Sequence, residues 1–454
     1  MNRKNRTEIS PSILYILFTA LVVRALIPLI VILTRQDYIL FYTPDSFSYV
    51  RLAKELVSHG RFWYNGVPEI FRTPGYPILL IPGIFLGHVE IVTIALQIVL
   101  SCMTAYVVFR ISMLLFKDKR VALFGALMYA VEPVSVLYAS KLLSETLCAF
   151  LTSLFTYCMI KYFKTESPKM LALASIILSA SVYVRPVSYY LPIVITVVLL
   201  VWSLKRRKTL FVTQALGFLI CSFLIIGLWQ LRNYRETGYS GFSSVADYDL
   251  YCHHAASVLA IHEGIPYSKM QHSLGCPDKN IYLQRHPEQS QWDRGKIYRS
   301  MGSEGMRIIL GEPATYFLIH VKGMLRTLLD PGVSEYLILF KRYSWYGGLL
   351  DQILDRGLFV TIKDFANTMP FFFISMMIIT GFYLIASLIA LFHRDFPYDT
   401  ATIVIFFILA YYLVVSGGPV GYHRFRLPII PLISVFSGYG IHLAIGGFRQ
   451  KNTS

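Results

Sequence analysis

The residues best suited to chemistry lie in one polar stretch, 42–77. It opens with Thr43-Pro44-Asp45-Ser46 and closes with Glu69-Ile70-Phe71-Arg72-Thr73-Pro74-Gly75-Tyr76-Pro77. A carboxylate can take the proton of a hydroxyl as that hydroxyl attacks, and an arginine offers a flat fork of donors to an anion. Both sit here between two strongly apolar runs, with a rigid turn beside them. That pattern predicts a site at a membrane surface. Each feature also has a plain structural reading. Asp45, with Thr43 and Pro44, is well placed to cap a helix, and Pro74-Gly75-Tyr76-Pro77 is by itself a stiff turn.

The helix that would carry Asp45 is residues 45–60. Tyr49, Val50, Ala53, Leu56 and Val57 share one face, while Ser46, Arg51, Lys54, Glu55 and Ser58 are polar. Such a helix lies along the bilayer and holds Asp45 over the mouth of a bundle.

The rest of the chain is that bundle. Its 454 residues are 55% hydrophobic and 15% charged, and its mean hydropathy of +0.54 is far above that of a soluble domain. A window of about 20 apolar residues marks roughly ten spans. They fall at 13–34, 91–116, 121–140, 146–163, 170–184, 187–204, 210–231, 370–392, 401–416 and 427–445. The stretch 78–86 is too short to cross and reads as an interfacial or re-entrant helix. The expected fold is an all-α polytopic membrane protein with a large first outer loop, 35–90, carrying interfacial helices. Residues 1–231 form a membrane module, 232–366 an extracytoplasmic insert, and 367–454 the closing helices. The insert turns amphipathic over 306–359.

Charge orients the bundle. Arg3, Lys4, Arg6, Lys117, Lys119, Arg120, Lys164, Lys169, the run Lys205-Arg206-Arg207-Lys208, Arg394, Arg449 and Lys451 all fall on one side. The positive-inside rule makes that side, with both termini, cytoplasmic. The insert holds 15 Lys+Arg against 14 Asp+Glu, so it contributes one charge of the formal +16. Basicity here is a topology signal, and no folded basic surface for nucleic acid follows from it. The first apolar run is longer than a signal peptide's and lacks a cleavage site. Cys102, Cys148, Cys158 and Cys221 fall in spans, whereas Cys252 and Cys276 share the insert, where they are expected to pair or to stay as two free thiols. Arg24 and Glu132 lie inside spans, where neutralising one another is the economical arrangement. His253, His254, His262, His272 and His286 cluster in the insert without metal-ligand spacing.

Asp45-Ser46 with Tyr49 and the Phe71–Pro77 stretch are followed by Ser144-Glu145-Thr146-Leu147, Arg185-Pro186, Trp229-Gln230-Leu231-Arg232-Asn233-Tyr234 and Tyr422-His423-Arg424-Phe425-Arg426-Leu427-Pro428. In that order the motifs resemble the GT-C glycosyltransferases, nearest to bacterial relatives of protein O-mannosyltransferases and lipid A aminoarabinose transferases. The resemblance covers most of the chain except roughly 240–360. It implies inverting transfer of a hexosyl or pentosyl group from a polyprenyl-phosphate donor to a cell-envelope acceptor, at the outer face of the cytoplasmic membrane. Asp45 takes the catalytic place in the first outer loop. Arg72, Arg185, Arg232, Arg424 and Arg426, all at outer ends of spans, suit a lipid phosphate whose charge grows as it leaves. Snorkelling or a structural ion pair explains any single one as well. Glu69, Glu145 and Tyr49 are candidates for the acceptor or for a divalent cation, Glu69 together with one of the insert histidines. A lipid-linked-sugar flippase or transporter is the alternative reading, although such folds often show repeated halves and this chain has none by eye.

Overall fold

The computed structural model describes residues 11–276, 278–339, 359–360, 363–364 and 370–451. Expectations for the basic residues before Pro11, for 340–358 and for 365–369 lie outside them. Six described helices are long and apolar enough to cross a membrane. Three more expected spans are shorter apolar helices, Pro168–Val184, Thr400–Val415 and Ile430–Gly446. The chain is a multi-pass integral membrane protein.

Helix α1 (Pro11–Arg35) leads through a tight turn at Tyr38–Phe41 into α2 (Pro44–His59), the expected amphipathic helix. Gly60 ends α2 with φ 64°, a left-handed cap that suits glycine. A two-residue hairpin pairs Trp63–Tyr64 with Val67–Pro68, and the short helix α3 (Gly75–Phe85) returns the chain to the membrane. Gly75 is required there, because a Cβ would meet the Tyr183 backbone at 2.7 Å. Then come α4 (Val89–Phe116), α5 (Lys119–Val131), α6 (Pro133–Tyr138), α7 (Glu145–Thr165), α8 (Pro168–Val184), α9 (Leu191–Arg206) and α10 (Thr209–Thr237).

The span expected at 121–140 is broken between α5 and α6. Pro133 has no N–H, so the Tyr129 carbonyl four residues back loses its helical partner. Buried Arg24 of α1 fills the gap, donating from Nη2 to Tyr129 O at 3.1 Å and from Nη1 to Ala130 O at 2.6 Å. Its Nε reaches Ser101 Oγ at 2.6 Å. The expected Arg24–Glu132 pairing is therefore corrected. Glu132 caps α6 through the Ser135 N–H and faces Arg426 at 3.8 Å. Unfilled backbone carbonyls are costlier in a membrane than an unpaired side-chain preference, and they claim the guanidinium.

The insert follows as α11 (Val245–Asp249), a π-helical turn (Leu250–Ala255), α12 (Ala256–Glu263), α13 (Tyr267–Ser273), α14 (Lys279–Arg285), α15 (Arg294–Gly311), α16 (Pro313–Leu329) and α17 (Val333–Leu339). It has its own small core of Tyr251, Met270, Leu274, Tyr282 and Ile297. A disulfide joins Cys252 to Cys276 beside that core. The closing helices are α18 (Pro370–Leu391), α19 (Thr400–Val415) and α20 (Ile430–Lys451), with α20 packed on α18 and α5. Gly438 lets α20 lie against Gly125, where a Cβ would come within 2.3 Å of backbone. Such small-residue contacts let membrane helices pack closely.

Candidate active site at one end of the bundle

Local chemistry at the start of α2 leaves Asp45 free for other work. The cap is made by Thr43 and Ser46, whose Oγ accepts the Thr43 N–H at 2.9 Å. Asp45, one residue past Pro44, turns its carboxylate away from the helix end. Oδ1 lies 2.6 Å from Arg72 Nη2, and Oδ2 lies 2.8 Å from Arg424 Nη2. The simple capping reading of Asp45 does not hold.

Arg72 is held from several sides. Glu69 Oε1 accepts its backbone N–H at 3.0 Å, and Thr73 donates to Val184 O at 3.2 Å. The guanidinium lies 5.2 Å over both the Tyr49 and Phe71 rings, a cation–π geometry. Tyr49 in turn meets Tyr76 edge-on at 4.9 Å. The Tyr76 hydroxyl donates to Gln97 at 2.8 Å, anchoring α3 to α4.

Arg424 belongs to a tight turn at His423–Arg426, just before α20. It bridges two carboxylates, Asp45 and Glu145, the latter through Nε. Glu145 opens α7, is fully buried, and also pairs with Arg185 at the end of α8. Both guanidiniums use Oε1, and Oε2 has no hydrogen-bond partner. The result is an alternating chain: Arg72, Asp45, Arg424, Glu145, Arg185. Three cations against two anions leave it one positive charge in excess. Asp45 and Arg72, at 26% and 22% side-chain exposure, form its accessible end, while Glu145 is its closed end.

The turn carrying Arg424 is fixed by a buried chain that sequence reasoning missed. His423 Nδ1 lies 3.0 Å from Asp330 Oδ2, and Nε2 lies 3.2 Å from the Tyr138 hydroxyl. Asp330-Pro331-Gly332 was its only sequence signal, a turn that lets the Gly332 N–H reach Asp330 at 2.9 Å.

Burial raises the Asp45 pKa, but Arg424 and Arg72 outweigh it and hold the carboxyl well below the usual carboxylate range. In this state Asp45 is ionised and weakly basic.

Two expected phosphate ligands make their contacts elsewhere. Arg232 donates to Glu69 O at 2.6 Å and Phe62 O at 2.8 Å, tying α10 to the first loop. Arg426 is buried and donates to Leu328 O at 2.7 Å. Both satisfy backbone carbonyls. Glu69 caps the Phe71 and Arg72 N–H groups and faces Arg294 at 3.9 Å, with no insert histidine beside it. Among the described residues no three His, Cys, Asp or Glu side chains converge as a metal site, and the oxygens of Asp45 are already paired with guanidiniums. The residues present do not fit a divalent cation in this arrangement.

Residues 74–229 match the family model for dolichyl-phosphate-mannose-protein mannosyltransferase. That stretch contains Glu145 and Arg185, but Asp45, Arg72 and Arg424 lie outside it. No curated protein sequence matches. The structure is similar to the archaeal oligosaccharyltransferase AglB from Archaeoglobus fulgidus, solved with an inhibitory peptide and a dolichol-phosphate. The TM-score is 0.52 at 11% identity, over 98% of this chain and 52% of that one. The same enzyme's apo form gives a TM-score of 0.50 at 11% identity, over 97% and 51%. ArnT from Cupriavidus metallidurans bound to undecaprenyl phosphate aligns at a TM-score of 0.40 and 14% identity, over 96% and 76%. The chain thus spans about half the length of the oligosaccharyltransferase it matches. Its fold is similar to that of this oligosaccharyltransferase, in keeping with the GT-C resemblance of the sequence motifs.

Proposed function

We propose that this protein transfers a sugar from a polyprenyl-phosphate donor to a cell-envelope acceptor, with inversion, at the outer face of the cytoplasmic membrane. The observation that supports it most is that one carboxylate, Asp45, is shared by two arginines at the accessible end of a buried ionic chain. A sugar-phosphate-lipid is a phosphodiester with one negative charge, and the departing lipid phosphate carries nearly two at neutral pH. A cluster with one excess positive charge stabilises that gain more than it stabilises the bound donor, which is the condition for catalysis.

Asp45 occupies the arginine positions that the phosphate needs. As donor binds, its phosphate draws Arg72 and Arg424, and Asp45 is released from the two charges that suppress its basicity. It then takes the acceptor proton as the acceptor oxygen bonds to the anomeric carbon. The anomeric carbon–oxygen bond to phosphate breaks, and its electron pair leaves on the lipid phosphate. Arg185 and Glu145 anchor Arg424 from behind. Arg232, Glu69 and Tyr49 act as positioning residues for the Arg72 segment.

Purified protein in detergent, given radiolabelled polyprenyl-phosphate sugars and an envelope extract, should release polyprenyl phosphate and label an acceptor. Binding of donor without release, accompanied by its movement across reconstituted vesicles, would favour a flippase instead.

A further inference from the structure

The insert brings a second carboxyl to the same site. Residues 243–249 are docked directly on 70–72: Ser243 Oγ donates to Phe71 O at 2.6 Å, and the Ser244 N–H reaches Ile70 O at 2.9 Å. The Tyr248 ring meets Phe71 edge-on at 5.6 Å. Asp249, the next residue, ends α11 where the backbone widens into the π-helical turn. Such turns recur at functional sites because they re-aim a side chain within a helix. The charges of Arg72 and Asp45 both reach Asp249, yet neither arginine of the Asp45 pair makes an ion pair with it. Among the described residues, His253 Nε2 faces it at 3.7 Å.

A directed hydrogen-bond chain sets that histidine. Gln271 Nε2 donates to Cys252 O at 2.8 Å and to the Tyr267 hydroxyl at 2.9 Å. The Tyr267 hydroxyl lies 2.7 Å from His253 Nδ1, and Gln271 Nε2, an amide nitrogen that only donates, lies 3.0 Å from the same atom. Nδ1 therefore accepts, and the ring proton sits on Nε2, facing Asp249. Burial keeps the ring neutral by lowering its pKa to about 4. The neutral ring faces Asp249 at 3.7 Å, too far to hydrogen-bond it, and 37% of the Asp249 side chain stays exposed. This is a carboxyl with acceptor capacity left over, on the segment that packs against Ile70 and Phe71.

We propose that Asp249 binds a hydroxyl of a sugar ring held between the insert and the Phe71–Arg72 segment, and so contributes to substrate selection. The inference rests on the glycosyl-transfer reading. The ring belongs either to the donor or to a glycan acceptor. A site built to hydrogen-bond a substrate hydroxyl discriminates strongly, because an unmatched buried polar group is costly. Burial, opposed by Arg72 and reinforced by Asp45, pushes the Asp249 carboxyl up to about 7. Among the described residues Arg72, Asp45, Tyr248 and His253 are charged or titratable groups that face it or act on it.

The test uses full-length wild type, Asp249→Asn and Asp249→Ala in detergent. Binding is measured for undecaprenyl phosphate and for a panel of undecaprenyl-phosphate hexoses and pentoses, and transfer for the sugar wild type turns over. Undecaprenyl phosphate should bind all three proteins within about twofold, since its arginines are untouched. Loss of a hydrogen bond to a charged group is worth about tenfold or more. A donor-bound ring therefore predicts roughly tenfold weaker binding of the sugar-bearing lipid alone. An acceptor-bound ring predicts a roughly tenfold higher acceptor KM with donor binding unchanged. In either case the pH dependence of the affected constant near neutrality should flatten in Asp249→Asn, which a purely structural role would not produce. Unchanged donor preference, acceptor KM and pH profile in both variants overturn the assignment. So does a parallel loss of bare-lipid binding and thermal stability, which marks Asp249 as structural. A wild type that binds no undecaprenyl phosphate and turns over no donor overturns the glycosyl-transfer reading itself.

Discussion

Arg424 Nη2 stands 2.8 Å from Asp45 Oδ2, joining the turn before the last helix to the first turn beyond the first span. The same guanidinium grips buried Glu145 through Nε. One side chain thus ties together α2, α7 and the entry to α20. An anion that takes Arg424 from Asp45 leaves the Glu145 contact intact, so the arginine keeps its place while it changes partner.

Asp45→Asn retains the cap, which belongs to Thr43 and Ser46, and removes the proton acceptor. Transfer should fall by about 10²–10⁴ in a protein that still folds and inserts. Near-normal single-turnover transfer by this variant would falsify the base assignment.

Arg72→Lys keeps one charge but loses the fork that meets Asp45 while lying over Tyr49 and Phe71. Turnover is expected to drop at least tenfold, with weaker binding of undecaprenyl phosphate. Arg426→Lys, whose parent meets backbone carbonyls and buried Glu132, should leave lipid-phosphate affinity unchanged and lower stability instead. Equal effects of the two substitutions on affinity would contradict this division.

Arg24→Met fills similar space and takes the donor from the Ala130 carbonyl beside the Pro133 break, while the Tyr129 carbonyl keeps the Glu132 N–H and Ser135 Oγ. Each buried unsatisfied group costs about 1–3 kcal/mol. Thermal unfolding in detergent should come earlier, while the molecules that remain folded keep wild-type KM for donor. An unaltered unfolding temperature would show that the Ala130 carbonyl finds another donor.

Two histidines of the insert should weaken it in acid. Burial lowers His253 and His254 to about 4 from 6.5, so between those values the unfolded chain binds two protons that the folded one refuses. Stability present above pH 6.5 is lost as pH falls toward 4. Asp249, raised to about 7 from 3.8, and Asp247, also raised, work the other way, so the histidine contribution is read by replacing the two rings. Groups facing these rings are Asp249 and Tyr267 for His253, and Tyr316 and His320 for His254. The His253→Gln/His254→Gln double variant should lose less stability than wild type between pH 7 and 5. An identical loss would place the acid sensitivity elsewhere.

A cysteine at Ser58, on the exposed face of α2, should react with an impermeant thiol reagent in intact cells. Protection there, with a known outer-loop control reacting, argues for the inverted topology.

Hydropathy made the spans legible because about 20 apolar residues in a row have few other uses. Asp45, Arg72, Glu145, Arg185 and Arg424 were legible as separate motifs, and the structure gathers those five. Arg232 and Arg426 look the same in sequence, because an arginine at a span end reads identically whether it faces an anion or a carbonyl. Arg24 was misread for a related reason. Its partners are backbone oxygens freed by a proline more than a hundred residues away, and a sequence displays side chains, not missing helical hydrogen bonds. Asp249 was invisible because nothing in the sequence shows that the segment before it packs on Ile70 and Phe71.

The crosslink between Cys252 and Cys276 fastens the very turn that follows Asp249. Disulfides form and last in oxidising compartments, so with the insert on the outer face, as proposed, a newly made chain completes this part of the site only after export of the insert. The thiol state of those two cysteines then serves as a clock hand for biogenesis: reduced in a chain still threading, sealed in one that has arrived.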